Sequence, residues 1–251
     1  MSRIAVITFD EPEFAPSYVG TVNEGRAIFA WLFFTGRCRF SHIDLAIFRR
    51  RNPITSLIFI LMGLYFATKS IFFKTETVFD NLLKENIPAT FYGVFELIEG
   101  PERETYLPIF REILSRGHEL GLHGYRHGPL TDDELKRSLK LAKQQLGVEL
   151  ETYSSPFGDD RVETLELLER HGFLGMRVWD RKFLNLTSPV RRHAYDYSQA
   201  KVLASDEDVI IINLHSGDYY PRGFSRVKET IRRLKARGYK FLTFRDLCRT
   251  T

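Results

Sequence analysis

The sequence contains few cysteines: Cys38 and Cys248 are the only two among its 251 residues. This number excludes a small scaffold held together by several disulfide bonds. It also excludes the zinc sites that use four cysteines, or two cysteines with two histidines. We expect both cysteines to be reduced thiols in an intracellular protein.

The sequence also lacks a strong charge imbalance, since its formal net charge is only +4. A balance of this size does not indicate a nucleic-acid partner, and we expect none. Hydrophobic residues make up 43% of the chain and charged residues 27%, so there is no signature of disorder. This length and composition suit one α/β domain of barrel size.

The positive charge is concentrated in one segment, residues 12–74, which holds eight Lys or Arg against three Asp or Glu. Its most apolar run, residues 54–73, has about the 20 residues that cross a bilayer core. Lys69 and several hydroxyl side chains interrupt that run and make it a poor spanning helix. The local shift in composition predicts an inserted segment at residues 27–73.

No cleavable export signal is visible at the beginning of the sequence, because Met1-Ser2-Arg3 leads directly into an apolar strand pattern. We therefore expect a cytoplasmic location. Peripheral contact with the inner face of the membrane, through residues 27–73, is left open.

Short apolar runs alternate with segments of helical spacing outside the basic segment. This alternation predicts a parallel α/β sheet or barrel. The predicted strands are residues 4–9, 87–95, 118–124, 151–158, 173–179, 208–214 and 239–244. The predicted helices are residues 75–85, 106–116, the segment that Thr131 caps, 160–171 and 224–237.

Acidic and histidine residues stand directly after several predicted strands, where parallel α/β folds place their chemistry. Asp10 and Glu11 follow the first strand, and His123 and His127 follow the third. Two imidazoles and one carboxylate can hold a divalent ion and leave positions open for water. The glycines around the two histidines favour a loop over a helix. A surface loop with two solvated histidines is the alternative.

Four segments carry a family resemblance when taken in order: ITFDE (7–11), GHELGLHGYRH (117–127), YSSPFG (153–158) and INLHSG (212–217). Together they resemble the polysaccharide deacetylase (NodB-homology) family, carbohydrate esterase family 4. The segments IPATFY (87–92) and RRLKARGYKFLTFRDL (232–247) are similar to that family as well. The resemblance covers residues 1–26 and about 75–251. It implies one distorted (β/α)7 barrel over residues 1–251, with the insertion between the first strand and the first helix.

The resemblance further implies a hydrolase that removes an N-acetyl group from an amino sugar or related acetamide through a metal-activated water. The divalent ion is expected to be zinc, with cobalt, manganese, nickel or iron as alternatives. The implied roles are Asp10 as general base, His215 as general acid, and Glu11, His123 and His127 as metal ligands. We also expect Pro156, Phe157 and Tyr219 to contact the substrate.

This sequence departs from the family pattern in three places. Glu11 stands where the family commonly has Asp, and Glu13 is a competing ligand. Ser154 stands where the family often has an Arg that orients the base. Either Arg126 or Arg161 could take that part, or the chain belongs to a divergent branch with different substrate demands. Asp180 is a candidate for the poorly marked fourth motif, although an acid at the surface end of a strand is the simpler interpretation.

The insertion restricts how the chain could meet a membrane. A single crossing would separate the first two strands of one sheet, so we favour an interfacial or re-entrant hairpin. The alternatives are a hydrophobic lid, a dimer contact, or a segment that does not fold with the domain; the oligomeric state is not predicted.

Two rival functions stay open. One is hydrolysis of a non-sugar C–N bond on the same barrel, and the other is an inactive barrel that binds glycans or lipids at a membrane.

Overall fold

The computed structural model describes residues 3–10, 82, 84–100, 103–158, 160–196, 199–214 and 225–250. The insertion predicted at residues 27–73 lies outside these residues, as does most of the helix predicted at residues 75–85. Among the described residues, no helix has both the length and the apolar character needed to span a bilayer.

The described residues form one curved sheet of parallel strands. The sheet order is β6-β5-β4-β3-β2-β1-β7, and β8 pairs with the beginning of β1. The strands are β1 (Ile4–Asp10), β2 (Thr90–Gly93), β3 (Glu119–Leu122), β4 (Thr152–Ser154), β5 (Gly175–Val178), β6 (Arg191–Ala194), β7 (Val209–Leu214) and β8 (Lys240–Leu242).

A bridge between Asp196, which follows β6, and Ile212 in β7 joins the two ends of the sheet. The Asp196 amide donates to the carbonyl oxygen of Ile211 at 3.1 Å, and the Asn213 amide donates to that of Asp196 at 3.1 Å. These two bonds close the curved sheet, so the predicted distorted (β/α)7 barrel is confirmed.

Helices connect the strands, and those over residues 103–115, 132–141, 162–170 and 225–236 lie where the sequence pattern predicts them. Thr131 caps α2, because its hydroxyl accepts a hydrogen bond from the Glu134 amide at 3.3 Å. Gly117 follows α1 with a φ of 77°, a left-handed conformation that glycine adopts without strain. The helices are α1 (Arg103–Ser115), α2 (Asp132–Leu141), α3 (Val162–Arg170), α4 (Gln199–Ala204), α5 (Ser225–Ala236) and α6 (Phe244–Thr250).

The chain departs from the predicted elements near its C-terminal end. The strand predicted at residues 239–244 is too long, since β8 ends at Leu242 and Phe244 begins α6. The strand β6 and the helices α4 and α6 were not predicted. The β6 sequence, RRHA, has no apolar pattern, because this strand is only partly buried.

A buried carboxylate holds the N-terminal end of the barrel together. Glu119, the first residue of β3, is 3% exposed. It accepts hydrogen bonds from the hydroxyls of Thr90 in β2, at 2.7 Å, and of Thr152 in β4. It also accepts one from the backbone amide of Arg245 in α6, at 2.9 Å. These hydrogen bonds link three strands to the last helix through one carboxyl group. Burial raises the pKa of Glu119, although the hydrogen bonds act in the opposite direction.

We expect Glu119→Ala to lower the free energy of unfolding by roughly 2–4 kcal/mol, because it leaves three buried donors without their acceptor. Glu119→Gln keeps the side-chain volume and one acceptor oxygen, so it should cost less. Urea unfolding of the variants measures both effects. Glu149→Ala is the control, because that side chain is 79% exposed and pairs with Lys143 at the surface. An equal cost at the two glutamates would contradict the linking role of Glu119.

Candidate active site

The sequence-predicted site residues that the structure describes lie where the parallel strands end. Asp10 is the last residue of β1, and His123 directly follows β3. Phe157 follows β4 in a short turn. Because the carboxyl ends of parallel strands meet at one rim of a barrel, these side chains share that rim. Asp10 is 3% exposed and His123 is 1% exposed, so neither is a solvated surface group.

The two histidines lie on a loop, as their neighbouring glycines predict. Gly124 has a φ of 93°, and a Cβ atom there would lie 2.5 Å from the carbonyl oxygen of Arg126. Only glycine fits this turn without strain. The turn brings the imidazole rings of His123 and His127 together, with their centroids 5.1 Å apart. The alternative of two solvated histidines is therefore wrong for His123, which is buried.

The hydrogen bond of His123 determines which of its ring nitrogens can bind a ligand. Its Nδ1 atom lies 2.8 Å from the carbonyl oxygen of Ser154. A carbonyl oxygen only accepts, so Nδ1 carries a proton and, in the neutral ring, Nε2 keeps its lone pair. This is the usual second contact of a histidine that binds a metal ion. His127 is partly buried and packs against the Phe157 ring at 4.3 Å, so two imidazoles suited to a divalent ion stand at the rim.

The described residues alone contain no group of three His, Cys, Asp or Glu side chains that could hold a metal ion. The predicted third ligand, Glu11, and its competitor Glu13 lie outside the described residues. His215 and Tyr219, predicted as general acid and substrate contact, lie outside them as well. Their placement therefore stays a prediction.

Asp10 is held inside the barrel by an arginine that the sequence motifs did not predict. Arg177 in β5 is fully buried, and its Nη2 atom donates to Oδ2 of Asp10 and to the hydroxyl of Ser154. Its Nη1 atom donates to the hydroxyl of Thr8, at 2.6 Å, and to the amide oxygen of Asn213. The Asn213 amide nitrogen donates to Oδ2 of Asp10 at 2.9 Å. Strands β1, β4, β5 and β7 thus meet in one buried polar cluster.

Two tyrosine rings enclose the guanidinium group of Arg177. Its central carbon lies 4.2 Å from the ring centroid of Tyr195 and 4.8 Å from that of Tyr92. Burial by itself would lower the pKa of Arg177. The Asp10 carboxylate and the tyrosines outweigh burial, so the pKa is raised and the side chain is charged. One signal in the sequence could have revealed this residue, because Arg177 is the single charge in the apolar run from Phe173 to Trp179.

The alternative in which Arg126 or Arg161 orients the base does not agree with the structure. The Arg126 side chain is 63% exposed and lies 3.9 Å from Glu96. Arg161 is exposed at the position directly before α3. Both side chains are exposed, whereas Asp10 is buried and receives its guanidinium contact from Arg177 in β5.

The two substrate contacts predicted after β4 differ in exposure. Pro156 is buried, whereas the Phe157 side chain is 69% exposed. Phe157 also has a φ of 58°, a strained conformation for a residue with a side chain. Of the two, Phe157 offers surface to a ligand.

A cleft of about 540 Å³ opens beside this turn, at the ends of β4, β5 and β6. Trp179, which is 50% exposed, stands in its wall. Its amide donates to the Asp160 carboxylate at 2.7 Å, and the Asp180 amide donates to the same oxygen at 2.9 Å. Asp180 itself caps the next turn through the Lys182 amide. The cleft is lined by Gly158, Asp160, Trp179, Asp180, Arg181, Tyr195, Asp196 and Lys201.

Comparisons with known proteins agree with this fold. Residues 73–176 match the family model described as polysaccharide deacetylase. A peptidoglycan deacetylase of Helicobacter pylori is 33% identical over 97 residues, which are 36% of this chain and 31% of that protein. The peptidoglycan-N-acetylglucosamine deacetylase PgdA of Listeria monocytogenes is 26% identical over 180 residues, 69% of this chain and 35% of that protein. The chain therefore spans about a third of the length of these curated relatives.

A solved structure from Mycobacterium smegmatis, assigned to the polysaccharide deacetylases, superimposes with a TM-score of 0.60 at 15% identity. It covers 100% of this chain and 91% of that one. At this identity the superposition shows the fold alone. Together, these comparisons show that the chain has the fold of the polysaccharide deacetylases and is similar to that family over residues 73–176.

Proposed function

We propose that the chain is a metal-dependent deacetylase that hydrolyses the N-acetyl group of an amino sugar within a glycan chain. The observation that carries this proposal is the position of Ser154 between two functional groups. Its carbonyl oxygen accepts from Nδ1 of His123, and its hydroxyl accepts from the guanidinium that holds Asp10. Ser154 of β4 therefore connects a histidine suited to metal binding, His123, with the candidate base Asp10.

The histidine pair fits a divalent ion, because His123 presents Nε2 and the His127 ring is its neighbour at 5.1 Å. His123, His127 and Glu11 would hold the ion, with zinc as the first candidate. A divalent ion bound there would lower the pKa of a water molecule and polarise the acetamide carbonyl.

Asp10 would accept the proton of the attacking water. Its carboxylate is suited to this role, since Arg177 and Asn213 fix its orientation. His215 follows the last residue of β7 in the sequence and would protonate the leaving amine. A base and an acid on opposite sides of the scissile bond complete the transfer of one acetyl group to water.

The cleft beside Trp179 supports a sugar substrate. An exposed aromatic side chain offers an apolar face to the C–H groups of a sugar ring, and the charged residues around it offer partners for hydroxyl groups. The curated relatives named above carry peptidoglycan in their names. A chain of N-acetylated amino sugars is the substrate class that combines both observations.

Hydrolysis of a non-sugar C–N bond was supported only by Ser154 at the usual position of the base-orienting arginine. Arg177 delivers a guanidinium group to Asp10, so that support disappears. A measurement of turnover distinguishes a deacetylase from an inactive barrel that binds glycans.

We expect the protein to bind near-stoichiometric zinc and to release acetate from oligomers of N-acetylglucosamine. The variant His123→Ala/His127→Ala should lose both properties, because it removes two ligands. Elemental analysis and an acetate assay measure them. The matched control is His171→Ala. This histidine directly follows α3, and its Nε2 atom lies 2.8 Å from the Asp132 carboxylate. Metal content that is unchanged in the double variant would contradict the site, and metal binding without turnover would favour the inactive barrel.

We expect Trp179→Ala to raise the KM for a sugar oligomer about 10-fold, equivalent to about 1.4 kcal/mol, with a smaller effect on kcat. The variant removes the aromatic face of the cleft but leaves the Asp10 cluster in place. Steady-state kinetics on oligomers and on the single sugar measure this, and the single sugar should be affected less. Leu184→Ala, at another exposed apolar residue, is the control. An unchanged KM for the oligomer would exclude Trp179 from the substrate path.

A further inference from the structure

Ser154 and Arg177 are directly opposite each other in neighbouring strands. They are register partners in the parallel pair of β4 and β5, and both side chains are buried inside the barrel. Nη2 of Arg177 donates to the hydroxyl of Ser154 and to Asp10 at the same time. The space beside Asp10 can therefore be reached from either strand.

We propose that Arg177 is the positioning residue for Asp10, and that positions 154 and 177 are interchangeable sites for the guanidinium group that performs this task. The proposal rests on the proposed function only in taking Asp10 as the base. It accounts for Ser154: a small hydroxyl residue in β4 leaves room for the arginine that enters from β5 and supplies it with one acceptor.

The geometry favours positioning over a general packing role. Arg177 and Asn213 both donate to Oδ2 of Asp10, so this carboxylate oxygen is held from two strands. The guanidinium is itself held by Thr8 and by the rings of Tyr92 and Tyr195. A carboxylate oriented by a rigid, planar donor keeps its proton-accepting geometry through the reaction.

Lysine would not reproduce this arrangement. All three of its N–H donors lie on one nitrogen, whereas Arg177 reaches Thr8 with Nη1 and Asp10 with Nη2, two nitrogens held in one plane. In the double variant Ser154→Arg/Arg177→Ser, the arginine side chain would extend from β4, at the residue paired with position 177. The serine at position 177 would leave empty the space that the native arginine fills.

The test compares the kinetics of three zinc-loaded variants with those of the native protein: Arg177→Met, Arg177→Lys, and Ser154→Arg/Arg177→Ser. We expect Arg177→Met to lower kcat about 100-fold, with KM and zinc content within about twofold of native. Arg177→Lys should recover little. The kcat of Ser154→Arg/Arg177→Ser should be at least about 10-fold higher than the kcat of Arg177→Met. A native kcat in Arg177→Met would overturn the positioning role, and a folded double variant without recovery would overturn the interchange.

A double-mutant cycle on unfolding separates this inference from the proposed function. Asp10→Asn and Arg177→Met are combined, and urea unfolding is followed, so that no turnover is needed. We expect the two effects to be clearly less than additive, because each variant breaks the same ion pair. Glu149→Gln combined with Arg177→Met should be additive, since Glu149 is exposed and pairs with Lys143. Additive effects of Asp10→Asn and Arg177→Met would contradict the pair even if the native protein proves inactive as a deacetylase.

Discussion

The buried ion pair between Arg177 and Asp10 is the interaction on which the candidate site depends, because it places a carboxylate inside a barrel from which water is largely excluded. Two charges removed from water carry a desolvation cost of several kcal/mol each unless other groups compensate them. Here Thr8, Ser154 and Asn213 supply that compensation through hydrogen bonds. The four strands that contribute these residues are therefore tied to the orientation of a single carboxylate.

The two ends of the barrel use buried carboxylates for different purposes. Glu119 at the N-terminal end accepts only from hydroxyls and a backbone amide, and burial raises its pKa. Asp10 at the other end faces a charged guanidinium group. The first arrangement joins strands to the last helix, whereas the second orients an anion at the rim. This division agrees with the general rule that stability lies at the N-terminal face of a parallel barrel and chemistry at its C-terminal face.

Much of the fold could be predicted from the sequence because local patterns carried it. The apolar run of β1, the Thr131 cap and the glycines around His123 each correspond to a feature of the structure. Arg177 could not be predicted in the same way, since its partners Asp10 and Asn213 are 167 and 36 residues away. Its role follows from the register of β4 and β5, which no local pattern encodes. The strand β6 was missed because its side chains are only partly buried.

The proposed function requires that Nε2 of His123 binds a divalent ion at the rim. X-ray diffraction at the zinc absorption edge, on crystals grown with zinc, tests it most directly. We expect an anomalous peak about 2.1 Å from Nε2 of His123 and of His127, with Nδ1 of His123 still bonded to the carbonyl oxygen of Ser154. A rim without a peak, or a peak bonded to Nδ1 of His123, would contradict it.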